Sequence, residues 1–363
     1  MNTVSLTARN RRSVARAVVN SMFSEAYDSS SFGSVGIIST ASANRLKGFI
    51  GYVEGGEGTE GTITPISTSR HARFIGEVVA EGIARLQTTG NSRLSIRTIV
   101  ENNALNALTS SVGRAGACVE AIMPANSNYS IVYIGYNTPE REMSALMRGS
   151  DSQISSRISS YRNDSEELAS VAMDLVRNMN DYSIRIIDGN ARSFTESERR
   201  DVTGLLSTFG YNESESIAAV SNAQNIIGFA YSGEQIVGIS ITERRTLALS
   251  NGQYINIAEL TDGTVAESAN GRNLYSGILF NIFNHIARNH PDLGLVYAES
   301  NMGSEALLKS ALGWQNRQVA GVLYSHTRIN NRPKDFLVTY LTRELMAESV
   351  SRLNRSAVDS LRE

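Results

Sequence analysis

A single cysteine, Cys118, stands in 363 residues, which excludes an intramolecular disulfide and fits a reducing compartment. Histidine is nearly as scarce. The four residues at 71, 285, 290 and 326 make no metal-ligand spacing with one cysteine, so the sequence predicts no metal. No apolar run reaches the length of a membrane span. A net charge of −2 gives no general reason to expect nucleic acid or an anionic membrane as partner. The Arg-rich N-terminus carries no nucleic-acid motif or aromatic platform. Lysine is the oddest shortage, with only Lys47, Lys309 and Lys334 among 34 basic residues. Drift or genomic bias explains that skew, and so does avoidance of lysine modification; the residues do not choose between them.

What is present is a chain with 41% hydrophobic and 19% charged residues, long enough for two globular domains. Its first residues hold no acid before Glu25, in the manner of a transit peptide. The residues predict instead a short strand near Val4, followed by a helix with Val14, Val18, Met22 and Phe23 on one face. Strands are expected near 34–40, 46–53 and 61–67, with a Gly/Glu hairpin loop between the last two. A helix over 71–87, a strand over 95–100, a short helix in NALNALTSSV and strands near 115–123 and 129–136 follow. Residues 139–180 are polar and serine-rich with helical segments, the natural connector between two halves.

The second half starts again with a strand over 182–188. Helices over 195–222 precede the strands NIIGFAYS and EQIVGISITER, joined at Ser232–Gly233. The stretch Tyr254 to Asn289 reads as a half-buried strand, a polar turn and an amphipathic helix. Apolar residues recur at Leu274, Ile278, Leu279, Ile282, Phe283 and Ile286. A Gly/Asn turn feeding a helix start presents open backbone amides and the positive end of the helix dipole to an anion. A strand at 293–300, a helix at 304–312, strands at 317–327 and 335–343 and a polar C-terminal helix complete the chain.

The two halves share this order of elements. VENNALNALTSSVGRAGACVEAIM parallels AESNMGSEALLKSALGWQNRQVAGVL, each with an Asn before its short helix and a Gly, Gly113 or Gly313, expected at the helix C-cap. This predicts a duplicated mixed α/β domain, with chance similarity as the alternative.

The second half resembles the GNAT (Gcn5-related) N-acetyltransferases. The family's Q/R-x-x-G-x-G/A signature, whose backbone amides cradle the pyrophosphate of acetyl-CoA, matches the window Asn270, Gly271, Arg272, Asn273, Leu274, Tyr275. GRNLYSGIL is similar to the family's RGLYSALL-type strings. The stretch from Asn301 to Trp314 resembles its N-x-x-A…Y-x-x-x-G-F segment. Asn273 stands where the family has its first signature glycine, and Tyr275 where it has Gly or Ala. Asn tolerates left-handed backbone angles better than other side chains; Tyr275 has to point away from the pyrophosphate. Lys309 occupies the position of the family's tyrosine general acid, with a solvated helix lysine as the plainer reading.

The resemblance implies an α/β (α+β) fold of two GNAT-like domains, each a mixed, mostly antiparallel twisted sheet flanked by helices. The expected boundaries are 1–138 for a degenerate copy, 139–181 for a helical linker, 182–343 for the acetyltransferase domain and 344–363 for a helical tail. It implies acetyl-CoA as co-substrate, held by Thr264, Val265, Asn270, Gly271, Arg272, Asn273, Leu274, Tyr275 and Asn301. By offset from the signature, Glu259 is the expected general base, with Asp262 as runner-up; an outward-facing salt-bridged glutamate is the alternative. The equivalent first-half loop, STSRHARFIG, offers Arg70, His71 and Arg73 to phosphate, or is decayed. The partner is a small-molecule or protein amine, the location cytoplasmic, and a homodimer is compatible. The rival expectation is a GNAT-fold binding or assembly protein without catalysis.

Overall fold

The computed structural model describes residues 2–5, 36–42, 45–54, 62–67, 72–89, 92–138, 151–162, 165–189, 193–248, 253–329 and 332–360. The expected helix around Val14–Phe23, the hairpin loop before residue 62, and Arg70 and His71 lie outside these residues.

The first half runs β1 (Asn2–Ser5), β2 (Gly36–Ser42), β3 (Arg45–Glu54), β4 (Thr62–Ser67), α1 (Ala72–Thr89), β5 (Arg93–Glu101), α2 (Leu105–Arg114), β6 (Cys118–Pro124) and β7 (Tyr129–Asn137). Two helices follow, α3 (Asp151–Arg162) and α4 (Ser165–Asp181). The second half runs β8 (Ser183–Asp188), α5 (Glu196–Leu206), α6 (Glu213–Ser221), β9 (Asn225–Ser232), β10 (Gln235–Ala248), β11 (Tyr254–Val265) and α7 (Leu274–Asn289). Then come β12 (Leu293–Asn301), α8 (Glu305–Leu312), β13 (Gln318–Ile329), β14 (Arg332–Thr342) and α9 (Arg343–Ser360).

Among the described residues, fourteen strands form one sheet in the order β1-β2-β3-β4-β5-β7-β6-β13-β14-β12-β11-β10-β9-β8. Counted from its outer edge, each half has the same order, with its last two strands exchanged. Neighbours are antiparallel except β4–β5 and β11–β12. A parallel pair needs a crossover, and α1 and α7 supply the two. The fold is thus a mixed α/β one, with a largely antiparallel sheet and helices packed against it. The halves meet at β6 and β13 through Gly321 opposite Ala121. A Cβ on Gly321 would stand 2.0 Å from the Glu120 carbonyl, so only glycine permits this approach. Beside the junction, Arg93 is buried against Glu120 at 2.6 Å and also donates to the Tyr324 carbonyl.

Local signals explain the helix starts. Thr195 with Glu198, and Asn212 with Glu215, form reciprocal capping boxes at α5 and α6. Gly313 caps α8 as expected. The first-half counterpart differs: Gly113 lies inside α2, and the glycine beyond the helix end is Gly116, with φ +90°. Packing explains the rest. Leu274, Ile278, Leu279, Ile282, Phe283 and Ile286 of α7 are all buried, each contributing about 1.5–3 kcal/mol. They share a core with Val171 and Ala172 of α4, with Ala258 and Leu260 of β11, and with Met346 and Leu353 of α9. The connector helix α4 and the tail helix α9 are therefore part of the second half's packing.

The opposite sheet face holds a further difference. A half-buried strand was expected at β11, yet Ile255 and Ile257 are as buried as Ala258 and Leu260. Ile99 of β5 and Ile131 and Tyr133 of β7 pack in one cluster with Ile255, Ile257, Leu295 and Tyr297. The first half thus covers the face that alternation alone assigns to solvent.

Candidate active site

β11 and β12 pair in parallel from Asn256 opposite Leu293 to Leu260 opposite Ala298, and no further. Beyond that point β11 continues to Val265 beside β10, while β12 continues to Asn301 beside β14. The strands part, and β11 shows an unpaired edge toward β12. The parting coincides with a bulge: Ser240 faces Gly263 and Thr242 faces Leu260, so Thr261 and Asp262 together oppose Ile241.

Strand alternation decides which amides of that edge are open. Ala266 N–H donates to the Val237 carbonyl at 2.8 Å, toward β10. Thr264, two residues earlier, sends its N–H the same way, whereas Val265 and Gly263 direct theirs toward the parting. By this alternation the Val265 amide is the one suited to a backbone contact with a ligand, and that of Thr264 turns toward β10.

The signature window forms the turn that opens α7. Gly271 has φ 76°, and Asn273, the N-cap, has φ 49° and ψ 25°, both left-handed. The Asn273 side chain gives no cap bond; its Nδ2 donates to Asp174 Oδ2 at 2.8 Å. Asn178 Nδ2 donates to the Arg272 carbonyl at 2.6 Å, and the Arg272 guanidinium reaches the Tyr182 hydroxyl at 3.3 Å. Helix α4 thus holds the turn through the Arg272 carbonyl and the Asn273 side chain, and the first-turn amides of a helix have no intrahelical partner. Asn270 donates its N–H to the Glu267 carbonyl. Leu274 is buried in the core, so only its backbone can serve a ligand. Tyr275 turns its ring beneath the sheet, where its hydroxyl lies against Gly263. Burial raises its pKa. Asn301 accepts the Gly303 N–H at 2.8 Å through Oδ1, ordering the turn into α8.

Glu259 lies next to the parting, opposite Tyr297 on β12 and Glu243 on β10. Its Oε2 is 2.9 Å from Arg245 and 3.5 Å from Arg97, and accepts the Tyr297 hydroxyl at 2.5 Å. Arg97 in turn donates to that hydroxyl at 2.6 Å. Tyr133, also of the first half, donates to Glu299 at 2.9 Å. Burial pushes the Glu259 carboxyl above the usual carboxylate range, against the pull of Arg245 and Arg97. Asp262, at the bulge, accepts the Tyr211 hydroxyl at 3.0 Å; burial raises its pKa too. Lys309 sits apart from this group. Its Nζ lies 3.4 Å from Glu305 one turn earlier, a partly exposed intrahelical pair. That geometry is the one expected of a solvated helix lysine.

The fold joins Glu259 to Arg97, Arg245 and Tyr297, none of which the sequence singles out. The one available signal is positional. β5 and β12 are nine residues each, and Arg97 and Tyr297 are the fifth residue of both. The fold also gathers Asp188, His285 and His290, although the histidines lie 97 and 102 residues from the aspartate.

No protein-family model matches the sequence, and no curated protein sequence matches it. Solved structures similar to parts of the chain include Arabidopsis thaliana NAA60 in complex with acetyl-CoA, 12% identical, covering 44% of this chain and 98% of that one at a TM-score of 0.37. The ribosomal-protein-S18-alanine N-acetyltransferase from Escherichia coli is 12% identical over 44% of this chain and 94% of its own, at 0.33. An N-acetyltransferase from Staphylococcus aureus Mu50 is 14% identical over 45% and 99%, also at 0.33.

Proposed function

We propose that the second half of the chain is a GNAT-type domain that binds acetyl-CoA and transfers its acetyl group to a primary amine. The observation that carries this reading is that β11 parts from β12 after Leu260 and is followed in the chain by the left-handed Asn273 turn that opens α7. A strand edge that leaves its neighbour and a helix N-terminus, suited to phosphate, thus follow one another. The pantetheine arm would add along β11 beyond Leu260, in the manner of an extra strand, with the Val265 amide toward it. The pyrophosphate would lie on the amides of Gly271 to Tyr275.

In the transfer, the amine nitrogen bonds to the thioester carbonyl carbon and the carbon–sulfur bond breaks. The amine must first be neutral, and its proton passes to a carboxylate, directly or through water. Glu259 is the proposed acceptor, because burial raises its affinity for a proton and it sits next to the parting. Asp262 is the alternative, with fewer donors on its carboxylate. The second amine proton, lost from nitrogen as the carbon–sulfur bond breaks, passes through water to the departing thiolate, and the carboxylate returns the first to solvent. The first half is proposed as a degenerate copy of the same domain. The shared strand order supports the duplication, and Arg97 makes this copy a wall of the site.

A non-catalytic GNAT-fold binding protein is favoured by one fact, that three donors already hold Glu259 Oε2. Thiol release from acetyl-CoA, measured against a panel of small amines and peptides across pH, separates the two. Amine-dependent release that Glu259→Gln or Asp262→Asn abolishes at neutral pH supports transfer. Cofactor binding without release for any amine supports the second reading.

A further inference from the structure

At the far end of α7, about 24 Å from the signature turn at 1.5 Å per residue, three metal-ligating side chains converge. Asp188 closes β8, and its Oδ2 is 2.8 Å from His285 Nε2 and 2.6 Å from His290 Nε2. The two rings lie with centroids 5.5 Å apart, and the three potential ligand atoms fall within 4.8 Å of one another. We propose that Asp188, His285 and His290 bind a divalent transition metal of the zinc type, with water completing a tetrahedral shell.

The donor set is the first argument. Two imidazole nitrogens and one carboxylate oxygen are ligands that zinc accepts, and three protein ligands leave one open position. Placement is the second. His285 is in the last turns of α7, and His290 lies just past its end, where the chain turns before Pro291. Asp188 is held by the pairing of β8 with β9. Asp188 and His285 therefore stand on regular elements, and His290 is tied to the helix end by its N–H to the Ile286 carbonyl.

Two neighbours fit the same role. Asn289 Nδ2 lies 3.0 Å from His285 Nδ1 and fixes that ring from behind, as outer partners of metal-bound histidines do. With the amide turned, its oxygen accepts an Nδ1 proton and leaves Nε2 free for the ion. Arg244 lies 3.5 Å from Asp188 Oδ1, so Asp188 offers its other oxygen alone. The side chains of Asp188 and His285 are each 22% exposed and that of His290 is 11% exposed, so an ion from solvent can reach them. Such an ion would tie the end of β8 to the end of α7, away from the proposed acetyl-transfer site.

The test uses the full chain, stripped with a chelator and titrated calorimetrically with zinc chloride. The expected result is one zinc per chain and a melting temperature several degrees higher, reversed by chelator. Cobalt(II) in its place should give the intense visible bands of a tetrahedral nitrogen–oxygen site. Asp188→Asn and His290→Gln should each abolish binding, and Asn289→Ala should weaken it by about ten-fold. If those variants do not fold, the wild-type cobalt spectrum decides alone. Absence of zinc binding, a cobalt spectrum without tetrahedral bands, or binding that survives in folded Asp188→Asn and His290→Gln variants would overturn the proposal. None of these readouts depends on acetyl transfer.

Discussion

Arg97, on β5 of the first half, holds its guanidinium 3.5 Å from the Glu259 carboxylate on β11 of the second. It also donates to the Tyr297 hydroxyl, which donates to that same carboxylate. The candidate base is thus enclosed jointly by both halves. Arg97→Met would leave Glu259 with Arg245 and Tyr297 in a poorly solvated place. The expected loss is about 1–3 kcal/mol of stability, the usual cost of removing one partner from a buried polar pair, measured by urea denaturation.

Glu259 also gives a pH signature. Its folded carboxyl titrates above its unfolded value, so the native state holds more protons in the window between the two. Stability contributed by that proton is present below the unfolded value and lost as pH rises through the folded one. Glu259→Gln should flatten this part of the stability–pH curve. An unchanged slope would show that the carboxyl titrates normally.

Asn273 tests the turn. Replacement by Gly keeps the left-handed angle and loses only the side-chain bond to Asp174. Replacement by Ala loses the same bond and should cost about 1–2 kcal/mol more from the backbone. Acetyl-CoA affinity should follow the same order, with Gly near wild type and Ala clearly weaker, read by thermal shift with and without cofactor.

Gly321 tests the junction between the halves. Gly321→Ala puts a methyl into the Glu120 backbone and should destabilise the chain by about 1–3 kcal/mol or more. Gly113→Ala is the control. It lies inside α2 with open space around its Cβ position, and should gain about 0.5–1 kcal/mol. Equal effects from the two would mean that the β6–β13 contact contributes nothing.

Much of this architecture was legible from spacing. The apolar positions from Leu274 to Ile286 announced α7, and the turn residues before them announced its start. The two parallel strings around the short helices matched the shared element order. What alternation could not show was the second buried face of β11, because its cover comes from Ile99, Ile131 and Tyr133, more than a hundred residues away. Arg97 and Arg245 were unreadable for the same reason, since a strand arginine looks solvated until its partner is known. The glycine at the end of α2 was misplaced by three residues: Gly113 continues the helix, and the left-handed angle falls on Gly116. Lys309 matched a family position, but its helix gave it Glu305 as a neighbour.

Calorimetric titration of the full chain with acetyl-CoA is the sharpest test of the proposed cofactor site, with Gly271 and Asn273 variants beside it. One cofactor should bind per chain, with binding that Gly271→Val and Asn273→Ala weaken and Asn273→Gly retains. Absence of binding at millimolar acetyl-CoA by the folded wild-type chain would contradict it.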